Sequence, residues 1–130
     1  MALRPELGLD KNMKISKEET FFKEKHGIKL WVYDTRRDDV GFVYVECEEG
    51  HFQEFYDKVS TFVYHIIEGE GTFYLNGEAT PAKAGDLIVA PPLTKIYYFG
   101  KLKISLVTVP AWRPENEVHV RYIEKPNSKS

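Results

Sequence analysis

Between Leu30 and Val109 the sequence breaks into short runs of β-branched, aromatic and aliphatic residues with turn formers between them. The runs are Leu30 to Tyr33, Val40 to Cys47, Phe62 to Ile67, Gly71 to Leu75, Leu87 to Ala90, Ile96 to Phe99 and Ile104 to Val109. Such runs suit a pleated, half-buried surface. Asn76-Gly77 separates two of them, and both residues tolerate the positive φ of a type I′ turn, so a tight hairpin is predicted there. A chain of 130 residues has room for one core, and many short strands around one core mean a sandwich or a barrel.

The N-terminal part reads differently. Ser16-Lys17-Glu18-Glu19 has the form of a capping box, predicting a short helix that runs to about Lys25, with Gly27 placed to end it. Residues 1–12 lack sustained periodicity and are expected to be a flexible tail. Residues 13–124 then form a single domain, and 125–130 a C-terminal tail. The formal charge of −2 and a pI near 6.1, without a Lys/Arg block, speak against nucleic acid as a partner. No stretch has the roughly 20 apolar residues of a membrane span, and the N-terminus lacks a signal-peptide core, so the expected location is the cytoplasm and no membrane partner is expected. The single cysteine, Cys47, lies in an apolar run and reads as a buried, inert thiol.

The segment from Gly50 to Gly100 has a further regularity, in which glycines and one proline recur at the spacing of the two motifs of the cupin family. The first motif fits Gly50, Tyr56, Lys58, Phe62 and Gly69; the second fits Gly85, Pro91, Leu93 and Ile96. The resemblance implies an all-β fold, a cupin (RmlC-like jelly-roll) β-barrel, here with a short N-terminal helix. In that family the ligand slots carry histidines and a glutamate. Lysine, phenylalanine and isoleucine cannot replace them as ligands of Zn²⁺, Fe²⁺ or Mn²⁺. No metal and no cofactor is therefore expected. With a gap one residue shorter the paired slots become Phe55 and Asp57, and only that register keeps His51 in phase with them.

Strand alternation carries the frame to other side chains. Phe62, Tyr64 and Ile66 share one face, as do Ile96 and Tyr98, and the motif slots point that face into the barrel. Two inward tyrosines imply a polar cavity, because a buried hydroxyl needs a hydrogen-bond partner. Val63, His65, Ile67 and Tyr97 face outward; that largely apolar face is expected to be covered by a second copy in a homodimer or by an overlying sheet edge. His51 is the best available acid or base, since an imidazole with a pKa near 6.5 exchanges protons at neutral pH. His26, at the predicted helix end where its cation is favoured, and His119 read as structural. Glu117 by itself reads as a solvated acid, and Lys25 as a helix C-terminal cation.

Gly50-His51-Phe52-Gln53-Glu54-Phe55, Gly71-Thr72-Phe73-Tyr74-Leu75-Asn76, Tyr98-Phe99-Gly100 and Glu117-Val118-His119-Val120-Arg121 resemble the small metal-free cupin dehydratases of uridyl peptide antibiotic (pacidamycin) biosynthesis. The resemblance extends from about Lys25 to the last strand. It implies a lyase that removes the 3′-hydroxyl and 4′-hydrogen of uridine-5′-aldehyde or a related nucleoside or sugar aldehyde. It implies His51 as the acid/base, Tyr98 beside it in catalysis, and Lys25, Tyr64 and Glu117 as substrate-binding residues. The chemistry is coherent without a metal: loss of a hydrogen next to an aldehyde gives an enolate, which expels a β-hydroxyl once an acid protonates it. Two other readings fit the same residues, a metal-free isomerase or epimerase of a nucleotide-linked keto sugar and a non-catalytic cupin that only binds a ligand.

Overall fold

The computed structural model describes residues 12–125; apart from residues 12 and 125, the two expected tails lie outside the described residues. None of the described helices is long and apolar enough to cross a membrane. The strands are β1 (Phe21–Lys25), β2 (Ile28–Tyr33), β3 (Gly41–Cys47), β4 (Gly50–Asp57), β5 (Thr61–Leu75), β6 (Glu78–Lys83), β7 (Leu87–Ala90), β8 (Ile96–Val109) and β9 (Glu117–Tyr122). They pair in the order β1-β2-β3-β8-β4-β9, and β5 carries β6 and β7 on the far side of β8. β8 is long enough to serve both halves: residues 102–108 pair with β3 and 96–99 with β4 along one edge, and β5 runs along the other. The sheet curls around its core.

Alternation builds that core as expected. In β5, Phe62, Tyr64 and Ile66 are buried while His65 and Ile67 are exposed. In β8 the buried set is Ile96 and Tyr98, then Leu102, Ile104, Leu106 and Thr108. The same phase runs through Gly100, whose φ of 135° is open to glycine and closed to most L side chains. Phe73 of β5 completes the centre, stacked on Tyr98 with ring centroids 4.6 Å apart. Asn76 and Gly77 have φ of 52° and 83° and join Leu75 to Glu78 directly, the two-residue hairpin that the sequence predicts. Cys47 is buried, its thiol donating to the Gly100 carbonyl at 3.3 Å, and burial pushes its pKa up to about 11. The outward face of β5, β7 and β8 leaves Ile67, Leu87, Val89 and Val109 exposed.

The predicted helix is corrected. The capping box forms, with the Ser16 amide donating to the Glu19 carboxylate at 2.8 Å, but it closes only a 3-10 turn, Lys17–Glu19. Residues 21–25 instead pair along their length with β2. An isolated helix of about nine residues is marginal, whereas the strand gains a backbone ladder and sets Phe22 on Trp31 with ring centroids 5.0 Å apart. His26 and Gly27, not a helix cap, make the β1–β2 turn with φ of 51° and 95°.

Candidate active site

The curl encloses a cavity of about 340 Å³. Its apolar wall comes from Ile28 and Leu30 of β2 and Val43 and Val45 of β3, residues that face inward by strand alternation. β4 contributes His51 and Phe55, β5 Phe62 and Tyr64, and β8 Tyr98 and Leu106. His51 stands opposite Tyr98 in the β4–β8 ladder, and the register shifts between His51 and Phe55. Four residues of β4 there oppose two of β8, an even excess that keeps His51 and Phe55 on the same inward face. The two strands touch closely at Gly50, where any Cβ would overlap the Tyr98 carbonyl. His51 and Tyr98 therefore lie side by side, ring centroids 5.5 Å apart, with Tyr64 6.0 Å from Tyr98.

The polar end is closed by Lys25 and Glu117. β1 and β9 are the two ends of the paired strand order, and across the gap Lys25 Nζ lies 3.5 Å from Glu117 Oε2. Glu117 is thus not the solvated acid of the residue-level reading. Its other oxygen, Oε1, accepts the Trp112 indole N–H at 2.9 Å. Lys25, expected at a helix terminus, ends strand β1 and lines the cavity. All five candidate residues, Lys25, His51, Tyr64, Tyr98 and Glu117, meet in one cavity.

Burial dominates their electrostatics. His51 is 3% exposed, and its Nε2 has no hydrogen-bond partner. Desolvation, then the charge of Lys25, then His26, push its pKa from the ordinary 6.5 down to about 3, so it is a neutral imidazole at any ordinary pH. Tyr64 is pushed far up by burial and then by Glu117, and Tyr98 by burial, then Tyr64, then Cys47. Both stay protonated as donors. His26 is not the stabilised cation of a helix end: burial, Lys25 and His119 lower its pKa, with Glu117 opposing. His119 Nδ1 lies 3.0 Å from Gln53 Nε2, and neither His26 nor His119 lines the cavity.

The motif register is also resolved. Phe55 and Asp57 are buried, whereas Tyr56 is half-buried and Lys58 exposed. The inward pair is therefore Phe55 and Asp57, the shorter-gap alignment that keeps His51 in phase. Asp57 accepts the Val59 and Ser60 amides through Oδ1, so it serves the turn after β4. Among the described residues no group of three or more His, Cys, Asp and Glu is placed to hold a metal ion. The donor types at the slots, one carboxylate among phenyl and aliphatic groups, do not fit one either. Trp112 escaped sequence reasoning; its one signal is an aromatic two residues before Pro114.

A curled sheet of this order, with its glycines at the close approaches, is that of a small cupin. The EutQ-like cupin domain model matches residues 36–112, and the chain belongs to the cupin family. Among solved structures it is similar to Pac13, "a unique nucleoside dehydratase", at 44% identity and a TM-score of 0.85, covering 87% of this chain and 94% of that one. Streptomyces PAC13 carrying a histidine-to-glutamine substitution, with uridine, matches at 43% identity, a TM-score of 0.85 and the same coverage. Two tyrosine-to-phenylalanine variants, also with uridine, match at 43% identity, with TM-scores of 0.85 and 0.84, covering 87% of this chain and 93% of theirs. The similarity places the chain among dehydratases of this cupin type. No curated protein sequence matches it.

Proposed function

We propose that the chain is a metal-independent dehydratase of a nucleoside 5′-aldehyde such as uridine-5′-aldehyde, with His51 as acid/base. One observation carries the reading: a buried imidazole with an unpartnered Nε2 lines the same cavity as two protonated tyrosines. The histidine and two tyrosines substituted in the uridine-containing PAC13 structures are thirteen and thirty-four positions apart, the separations of His51, Tyr64 and Tyr98 here.

The chemistry follows from the environment. Neutral His51 takes the 4′-proton, and the electron pair moves into the aldehyde to form an enolate. The enolate then collapses to a 3′,4′ double bond as the 3′-hydroxyl leaves, taking the same proton from the imidazolium to depart as water. In a ribonucleoside the 4′-hydrogen and 3′-hydroxyl share one face of the ring, so one imidazole serves both steps. A low pKa makes His51 a weak base for the first step and its conjugate a strong acid for the second. The weak first step needs donors at the enolate oxygen, and Tyr64, Tyr98 or the Lys25 ammonium supply them from the cavity wall. The expected product of incubation with uridine-5′-aldehyde is lighter by one water; an unchanged mass, with or without isomerisation, overturns the dehydratase reading.

The same reading has the chain as a homodimer through the apolar outer face that carries Ile67, Leu87, Val89 and Val109. Light scattering should then find the wild type at twice the chain mass and a Leu87→Lys, Val89→Lys variant at the chain mass. A monomeric wild type removes the dimer from the proposal.

A further inference from the structure

We infer that Trp112 is a positioning residue: its indole N–H fixes the Glu117 carboxylate so that the Lys25 ammonium is held over the reacting end of the cavity. The inference rests on the dehydratase reading for its catalytic consequence, and on geometry alone for the positioning.

Glu117 uses its two oxygens on different partners. Oε1 takes the indole N–H at 2.9 Å, and Oε2 faces Lys25 Nζ at 3.5 Å. The shorter and better-defined bond is the one to Trp112, and Trp112 is itself locked. Its amide donates to Thr108 Oγ1 at 3.1 Å, and Thr108, on β8, is 1% exposed. The neighbouring Ala111 amide donates to the Asp38 carbonyl at 3.0 Å, and Ser60 Oγ donates to the Pro110 carbonyl at 2.9 Å. The 3-10 turn Pro114–Asn116 then returns the chain so that Glu117 comes back under the indole. A rigid connection therefore aims a carboxylate, and the carboxylate aims a lysine that comes from the opposite end of the strand order.

The division of the carboxylate has a chemical use. If Oε1 is released, both oxygens are free to engage the ammonium, which draws Lys25 away from the substrate and leaves fewer donors for an enolate. An N–H bond to a charged group has the strength to matter. Losing it should lower kcat by about tenfold, with KM moving much less if Lys25 acts on the enolate and not on the bound aldehyde.

The test is a double-mutant cycle with Trp112→Phe, which keeps an aromatic ring and removes the N–H. The expected result is a roughly tenfold fall in kcat in the wild-type background and less than about twofold in Glu117→Gln. An equal fall in both backgrounds, tracking a loss of melting temperature, is the signature of mere packing and overturns the inference. A second readout does not depend on turnover or on folding of the Trp112 variant. In ¹⁵N-labelled protein the Trp112 indole resonance should move in Glu117→Gln, with the Trp31 resonance unmoved. If it stays where it is, the bond is not made in solution and the inference falls. If the wild type fails to dehydrate uridine-5′-aldehyde, the proposed function falls, and the indole resonance still decides whether Trp112 holds Glu117.

Discussion

At the scale of single residues, the decisive property of His51 is a pKa pushed down by burial. A histidine whose folded pKa is about 3 and unfolded pKa 6.5 binds a proton in the unfolded chain first. Its contribution to stability is therefore complete above about pH 6.5 and lost as pH falls toward 3. His51→Gln should remain folded, flatten that part of the stability–pH curve, and reduce dehydration by about 10² to 10⁴ fold. Wild-type kcat/KM should show no acid limb near pH 6.5, because the base is still neutral there. A limb at 6 to 7 that disappears in the variant would mean that His51 titrates normally. Leu93 offers a separate test. It follows Pro91 in the second motif, where the cupin pattern has a glycine, with φ of 75°, and it is 62% exposed. A left-handed leucine is strained by roughly 1–2 kcal/mol, and Gly recovers this less its greater unfolded entropy. Leu93→Gly should stabilise the protein by about 0.5–1 kcal/mol, read as a higher urea midpoint at unchanged slope. His51 was legible as an acid/base from its chemistry, and its orientation was not, because the motif fits two gap lengths and only the shorter, with Phe55 and Asp57 inward, puts His51 in phase. Glu117 was illegible from its own segment, because one of its two partners, Lys25, is ninety-two positions away, on β1.

At the scale of elements, the sequence misleads where a local signal and a long-range ladder compete. Ser16 to Glu19 does form its capping box, but a box without a packed apolar face stops after one turn, and Phe21–Lys25 join β2. The strands after it were legible because their period of two survives burial on one face; the β5 and β8 alternation predicts the inward tyrosines correctly. The β1–β2 turn matters most for the site, since it docks on β4 beside His51. The Phe52 amide donates to the His26 carbonyl at 2.7 Å, and a Cβ on Gly27 would lie 2.6 Å from the Gly50 carbonyl and 2.7 Å from the Phe52 ring. With φ at 95°, alanine there is wrong both in backbone conformation and in space. Gly27→Ala should cost about 2–4 kcal/mol in chemical denaturation. It should also lower kcat, because relieving the overlap moves the strand that carries His51. A variant as stable and as active as the wild type would mean that the turn is not docked as described.

At the scale of the molecule, glycine spacing and ligand chemistry carry separate information. The glycines mark where backbones meet, as at Gly50 against Tyr98 or Gly71 against Phe99, and those meetings define the curl whatever fills it. The ligand slots say what the curl can hold, and here they present Phe55, Asp57, Phe62 and Ile96, of which Asp57 is engaged with its own turn. A single carboxylate does not bind a catalytic divalent ion, which takes three protein ligands or more. Phe55 and Phe62, at two of those slots, line the cavity with ring centroids 5.7 Å apart. The proposed proton transfer through His51 asks nothing of those slots. Purified protein should contain well under one equivalent of any transition metal by mass spectrometry, and extended dialysis against a chelator should change kcat by less than about twofold, the outcome expected of a reaction in which no ion bridges substrate and protein. Loss of activity on dialysis, restored by a single divalent metal, would require ligands outside the described residues and would overturn the acid/base assignment to His51.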